Sequence, residues 1–152
     1  MLNTARLKIY LDTSVISAMF DERTPERMEF TKSAWKRLKD CEVFISDTVI
    51  DELKNSPPPL RNKMLSLSEN FTVLPVSKTA IALAKLYVEQ NIFPAKYFDD
   101  AVHVAVAAAN QIGILLSWNF THLVKVKTRR MVALINSAQN YIPVEIISPP
   151  EL

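Results

Sequence analysis

Short strand-forming runs alternate with helix-period segments along the whole chain, and that alternation limits the fold more than any other feature. Lys8–Leu11 reads as a short buried strand, EVFIS (42–46) as a second, and FTVLPV (71–76) as a third closed by Pro75. IGILLS (112–117) and VEIIS (144–148) read as the fourth and fifth. Helical segments fill the intervals. In DERTPERMEFTKSAWKRLKD (21–40), Thr24 is a cap, Pro25 occupies the first turn and Glu26 sits at the positive end of the helix dipole. Met28, Phe30, Ala34, Trp35 and Leu38 keep helical spacing there. SDTVIDELKN (46–55) reads as a short helix capped by Ser46 or Asp47, PPPLRNKMLSLSEN (57–70) as a helix behind rigid prolines, and SKTAIALAKLYVEQN (77–91) as a helix capped by Ser77. KYFDDAVHVAVAAAN (96–110) is an almost wholly apolar helix and RRMVALINSAQN (129–140) a surface helix. A helix between strands predicts an α/β fold with a mainly parallel sheet covered on both faces. Ligands of such sheets bind outside the carboxyl ends of the strands, where Asp12 and Asn119 stand.

No repeat, low-complexity stretch or long linker divides the chain, so residues 1–152 read as a single domain. A composition of 49% hydrophobic and 22% charged residues is globular rather than disordered. The net charge of +2 is too small to argue by itself for nucleic acid or membrane. Gly113 is the only glycine, which excludes a P-loop and a dinucleotide fingerprint, since both need several. Any phosphate chemistry must then be managed by side chains and metals. Cys41 is the only cysteine, so no internal disulfide can form and a structural zinc site is disfavoured, which fits a reducing cytoplasm. Asp12 interrupts the first apolar run too early for a signal peptide, and every apolar run is too short to span a bilayer. A soluble cytoplasmic protein with no membrane partner is expected.

The acids carry the chemistry. Asp12 follows the first strand directly, and Thr13 and Ser14 after it could cap the helix VISAMF (15–20). Glu52 falls at the border of a buried stripe made by Val49, Ile50 and Leu53, while Asp51 points outward. In FDDAVHVAVAAANQ (98–111), Asp99, Asp100, His103, Asn110 and Gln111 share one sector of the helix. The two acids could simply complement the helix dipole, and His103 reads as a satisfied polar neighbour rather than a catalytic base. Asn119 could be a turn or cap, Trp118 and Phe120 core or rim aromatics, and Lys125, Lys127, Arg129 and Arg130 a solvated charged face. If Asp12, Glu52 and Asp100 meet at one cleft, each pair about 5 Å apart repels by about 3 kcal/mol at an effective dielectric near 20. Three pairs then rival a domain's whole stability of about 5–15 kcal/mol. Such a cluster needs protonation, basic partners or a divalent cation, and oxygen ligands favour Mg²⁺ or Mn²⁺ over zinc.

Four stretches resemble the PIN-domain family, and within it the VapC-type toxin ribonucleases of type II toxin–antitoxin systems. They are IYLDTSVI with Asp12, FISDTVIDEL with Glu52, DAVHVAVA with Asp100 rather than Asp99, and LLSWNFTHL with Asn119. The resemblance implies a three-layer α/β/α fold with a five-stranded parallel sheet. It also implies a metal-dependent endoribonuclease, usually a homodimer and often held inactive by an antitoxin protein. Asp12, Glu52 and Asp100 would bind Mg²⁺ or Mn²⁺, and Asn119 and Ser14 would position the water and the scissile phosphate of an RNA substrate. Asp99 is a further candidate ligand. Many relatives carry an acid where Asn119 stands and another where this chain has His122, which bears on a second metal site. An aspartyl-phosphate phosphatase would want a second aspartate where Ser14 stands, so that match fails. The remaining rival is a catalytically weak or inactive PIN-like module that binds RNA or a protein partner.

Overall fold

β1 (Lys8–Leu11) is buried at Ile9, Tyr10 and Leu11 in succession. Successive side chains of a strand point to opposite faces, so both faces of the sheet are covered here. The structure, a computed structural model, describes residues 6–152. β1 pairs in parallel with β2 (Glu42–Ser46) on one side and β4 (Ile114–Leu116) on the other. β3 (Thr72–Leu74) and β5 (Glu145–Ile147) close the edges, giving the all-parallel order β3-β2-β1-β4-β5. The chain therefore builds outward from β1 to β3 and then returns to the other side of β1. The crevice between the ends of β1 and β4 is the switch point where ligands bind in such sheets.

Seven α-helices connect the described strands: α1 (Thr13–Ala18), α2 (Pro25–Leu38), α3 (Asp47–Lys54), α4 (Pro58–Ser68), α5 (Lys78–Glu89), α6 (Phe98–Ala109) and α7 (Val126–Ala138). α6 is the central one, buried continuously from Ala101 to Ala108, and its alanines let α5 pack closely through Ala80, Leu83, Ala84 and Tyr87. The expected α/β architecture with five parallel strands is present.

Several local expectations need correction. Phe30 is 44% exposed, because the inward face of α2 runs through Thr31, Ala34 and Leu38 instead. Trp118 donates its indole N–H to Thr31 Oγ1 at 2.8 Å, and Thr31 Oγ1 donates to the Arg27 carbonyl, so a threonine takes the place an apolar residue was expected to hold. Ser77 caps α5 by accepting from the Ala80 amide, as read. Thr24 and Ser46 stand at N-cap positions without a capping bond, and Thr13 and Ser14 lie inside the first turn of α1, with Asp12 at its N-cap. α7 begins at Val126, three residues before the expected start, and buries Thr128, Val132 and Asn136. The sector predicted on α6 divides: Asp99 and Asn110 are exposed, Gln111 lies beyond the helix, and His103 turns fully inward. Phe20 and Trp35 pack against the core, Trp35 at 5.6 Å from Phe71 between ring centroids.

Candidate active site

Asp12 is only 4% exposed, and its side chain accepts no backbone amide of the helix it precedes. Ser14 Oγ donates to its Oδ1 and Ser117 Oγ, at the end of β4, donates to its Oδ2. The direction of both hydroxyls is fixed from behind. Ser14 Oγ accepts from the Trp118 amide at 2.9 Å, and Ser117 Oγ accepts from the Asn119 amide at 2.9 Å. Each hydroxyl has therefore spent a lone pair on a backbone N–H and turns its own proton to Asp12. The carboxylate is held as an acceptor on both oxygens, an arrangement that compensates its burial.

Glu52, half-buried on α3, accepts from Thr13 Oγ1 at 3.0 Å and lies 2.7 Å from His103 Nε2. His103, 2% exposed, meets the Tyr10 hydroxyl through Nδ1 at 2.7 Å, and that hydroxyl reaches Ser46 Oγ at 2.8 Å. Both imidazole nitrogens are thus engaged, so His103 is the satisfied polar residue the sequence suggested and has no lone pair to offer a ligand. Asp100 is half-buried in the first turn of α6, and Asn119 Nδ2 approaches its Oδ2 at 3.4 Å. Asn119 Oδ1 accepts from the His122 amide at 3.0 Å, so the side chain turns its nitrogen to the acids and its oxygen to its own loop. Asp99 is exposed.

The electrostatics tie these groups together. Burial raises the Asp12 carboxyl above the usual range; the charge of His103 and the two hydroxyls oppose the rise and the charge of Glu52 adds to it. Asp100 is pushed up to about 6, first by burial and then by the charges of Asp12 and Glu52, against His103 and the Asn119 bond. Burial would raise Glu52 too, but the bond and charge of His103 and the bond from Thr13 hold it below the usual range. His103 rises: burial opposes its charge, and the bond to Glu52 with the charges of Glu52, Asp12 and Asp100 outweighs it. Three acids on three different elements thus act on one another and on the His103 ring.

As these side chains lie, no three His, Cys, Asp or Glu among the described residues stand close enough to ligate one ion together. Glu52 Oε1 is committed to Thr13 and His103. The three acids offer only oxygen ligands, which suit a hard, partly hydrated cation better than zinc. Ser117 was missed in the sequence, although a hydroxyl directly at the end of a strand beside β1 is the signal that could have found it. His103 was read without its part in holding Glu52, because the partner sits 51 residues away.

The crevice opens onto a groove of about 470 Å³ that includes Ser14, Asn119, Arg27 and Phe120. On the other flank Tyr97 stacks on His122 at 4.2 Å between centroids, with Lys96 5.0 Å from the Tyr97 ring. Burial first, then the charges of Lys125 and Lys96, lower the His122 imidazole.

Comparison with known proteins agrees with this fold. The fold matches the crystal structure of VapBC2 from Rickettsia felis bound to a promoter DNA fragment, with a TM-score of 0.61 at 10% identity over 93% of this chain and 98% of that one. It matches VapC20 of Mycobacterium tuberculosis, described as a sarcin-ricin loop cleaving toxin, with a TM-score of 0.54 at 18% identity over 90% and 98%. VapBC-5 from the same organism, a member of the VapBC family of toxin–antitoxin systems, gives 0.52 at 18% identity over 93% and 98%. No curated protein matches the chain in sequence. The PIN domain family, in contrast, matches residues 9–119. That span starts on β1 just before Asp12 and ends on Asn119 beyond β4, enclosing both sides of the switch point: the chain belongs to the PIN domain family.

Proposed function

We propose that this protein is a metal-dependent endoribonuclease of the VapC kind, acting in the cytoplasm as the toxin of a type II toxin–antitoxin pair. The observation that carries the reading is the Asp12 carboxylate, buried yet fed on both oxygens by fixed hydroxyls, within electrostatic range of Glu52 and Asp100. Asp12 and Asp100 would hold Mg²⁺ or Mn²⁺, with Glu52 reaching it directly or through water. When bound, the ion supplies an activated water and charge stabilisation for phosphodiester hydrolysis. Ser14 and Ser117 oppose the rise that burial imposes on Asp12 and orient its carboxyl group. His103 and Thr13 fix the rotamer of Glu52. Asn119 holds Asp100 through its amide nitrogen and stands where the scissile phosphate would enter, while Lys96, Lys125 and Arg27 at the rim attract the RNA backbone.

VapC20 by its description cleaves RNA of the sarcin-ricin loop, and the other two neighbours are toxin–antitoxin assemblies. These likenesses support an antitoxin protein as partner, and the family resemblance supports a homodimer. One observation favours the rival reading of a binding module: Asn119 brings no charge, and its oxygen is occupied by His122. Incubation of a structured RNA panel with Mg²⁺ or Mn²⁺ separates the two. Wild type is expected to cut, Asp12→Asn and Asp100→Asn to lose at least about a hundredfold in rate, and Asp99→Asn to retain appreciable activity. RNA binding without metal-stimulated cutting would leave the binding module standing, and equal loss at Asp99 and Asp100 would overturn the choice between them.

A further inference from the structure

Arg27 stands beside the crevice with its guanidinium stacked on an aromatic wall. Its guanidinium lies 4.9 Å from the Trp118 ring centroid and 5.9 Å from that of Phe120. No carboxylate lies within ion-pair distance of it among the described residues; Asp21 in the same groove pairs with Arg23 at 2.9 Å and also feels the charge of Arg27. Trp118 is buried and tied to Thr31, so it forms a fixed wall. Phe120 is 48% exposed, next to Asn119 in sequence, with Trp118 against its edge at 6.0 Å. A half-exposed aromatic ring with the Arg27 guanidinium over it therefore shares one groove with Ser14 and Asn119.

Building on the nuclease reading, we propose that this groove seats one unpaired nucleotide of the RNA beside the scissile phosphate, its base stacked on Phe120 and its phosphate held by Arg27. Stacking on an aromatic side chain is open to a splayed single-stranded base and closed to one inside a duplex. The guanidinium presents several donors in a plane to a phosphate, and its own stack on Trp118 limits the freedom lost on binding. Asp21, the acid in the groove, is paired with Arg23 at 2.9 Å. RNA fits better than a peptide because the groove is lined by Ser14 and Asn119, which bond Asp12 and Asp100, and pairs its cation with a ring that accepts any base. The substrate strand is then selected for being unpaired at this step.

Fluorescence anisotropy with a labelled single-stranded oligoadenosine RNA in excess EDTA tests this without turnover. Phe120→Leu, which keeps the apolar bulk and loses the π face, should weaken binding about tenfold, while Phe120→Trp should bind as well as wild type. Arg27→Gln should flatten the dependence of log affinity on log salt by about 0.7. A duplex of the same length should be insensitive to Phe120→Leu. If Phe120→Leu binds the single strand like wild type while wild type still cuts RNA with metal, this subsite is wrong and the nuclease reading survives. If wild type neither binds nor cuts RNA, both fall.

Discussion

Asp100 shows how a single acid reports the state of the site. Its carboxyl lies at about 6 in the fold against 3.8 as an ordinary aspartate, so the folded chain holds that proton more tightly than the unfolded one. Its stabilising contribution is complete below its ordinary value and is lost as pH rises through about 6. Because the side chain is partly open to solvent, we take the loss as about 1–2 kcal/mol rather than the full shift. With EDTA present, Asp100→Asn should raise the melting temperature by about 2–6 °C near pH 7.5, with the gain disappearing toward pH 4. Melting curves at the two pH values check this, and an equal gain at both would contradict the electrostatic cause. Glu52 has the opposite sign: its lowered value stabilises the fold above its ordinary range and is lost on acidification. His103 links the two, which explains why a histidine on an otherwise apolar helix is fully buried.

At the scale of elements, the scarcity of glycine has a structural answer. α5, α6 and α7 each end in a Schellman turn whose left-handed residue is Asn91 (φ 60°), Gln111 (φ 57°) or Asn140 (φ 62°). The next amides, of Ile92, Ile112 and Tyr141, reach back to the carbonyls of Tyr87, Ala107 and Asn136. Asparagine tolerates this backbone region better than other non-glycine residues, and glutamine lacks that relief. Gln111→Gly should therefore stabilise the protein by about 1 kcal/mol, or about 2–4 °C in Tm, and Asn91→Gly by less. Chemical denaturation of both variants checks the ranking. Gly113 itself is not in a left-handed conformation, and an added Cβ would meet only the Pro143 carbonyl at 4.0 Å. Gly113→Ala should be tolerated or gain about 0.4–1 kcal/mol by restricting the unfolded chain. The one glycine is thus not where the backbone needs one.

For the molecule as a whole, the candidate site is a junction: the exit of β1 supplies Asp12, α3 supplies Glu52, α6 supplies Asp100 and His103, and the exit of β4 supplies Ser117 and Asn119. Gathering like charges there works against folding, so a cation that binds only the folded state should stabilise it. At ten times its dissociation constant, Mn²⁺ should contribute about 1.4 kcal/mol, or about 3–5 °C. Thermal melts across a Mn²⁺ and Mg²⁺ titration measure it, and Asp12→Asn should reduce the shift. An unchanged Tm at millimolar metal would argue against an ion at the switch point.

Strand and helix identities follow from local patterns, since the alternation of buried runs and capped periodic segments is a property of neighbours in the chain. The five strands, the Ser77 cap and the outward turn of Asp51 were all legible in that way. The preference for Asp100 over Asp99 came from family resemblance and not from spacing, and the fold leaves Asp99 exposed and Asp100 half-buried. What neighbours cannot encode is which hydroxyl turns its proton to which acid. Ser117 meets Asp12 across 105 residues and His103 meets Glu52 across 51, because strand order places β4 beside β1 and lays α6 against α3. The chain alone determined the parts and their order; the packed sheet decided their protonation, their rotamers and the groove they share, since those depend on distances that exist only after folding.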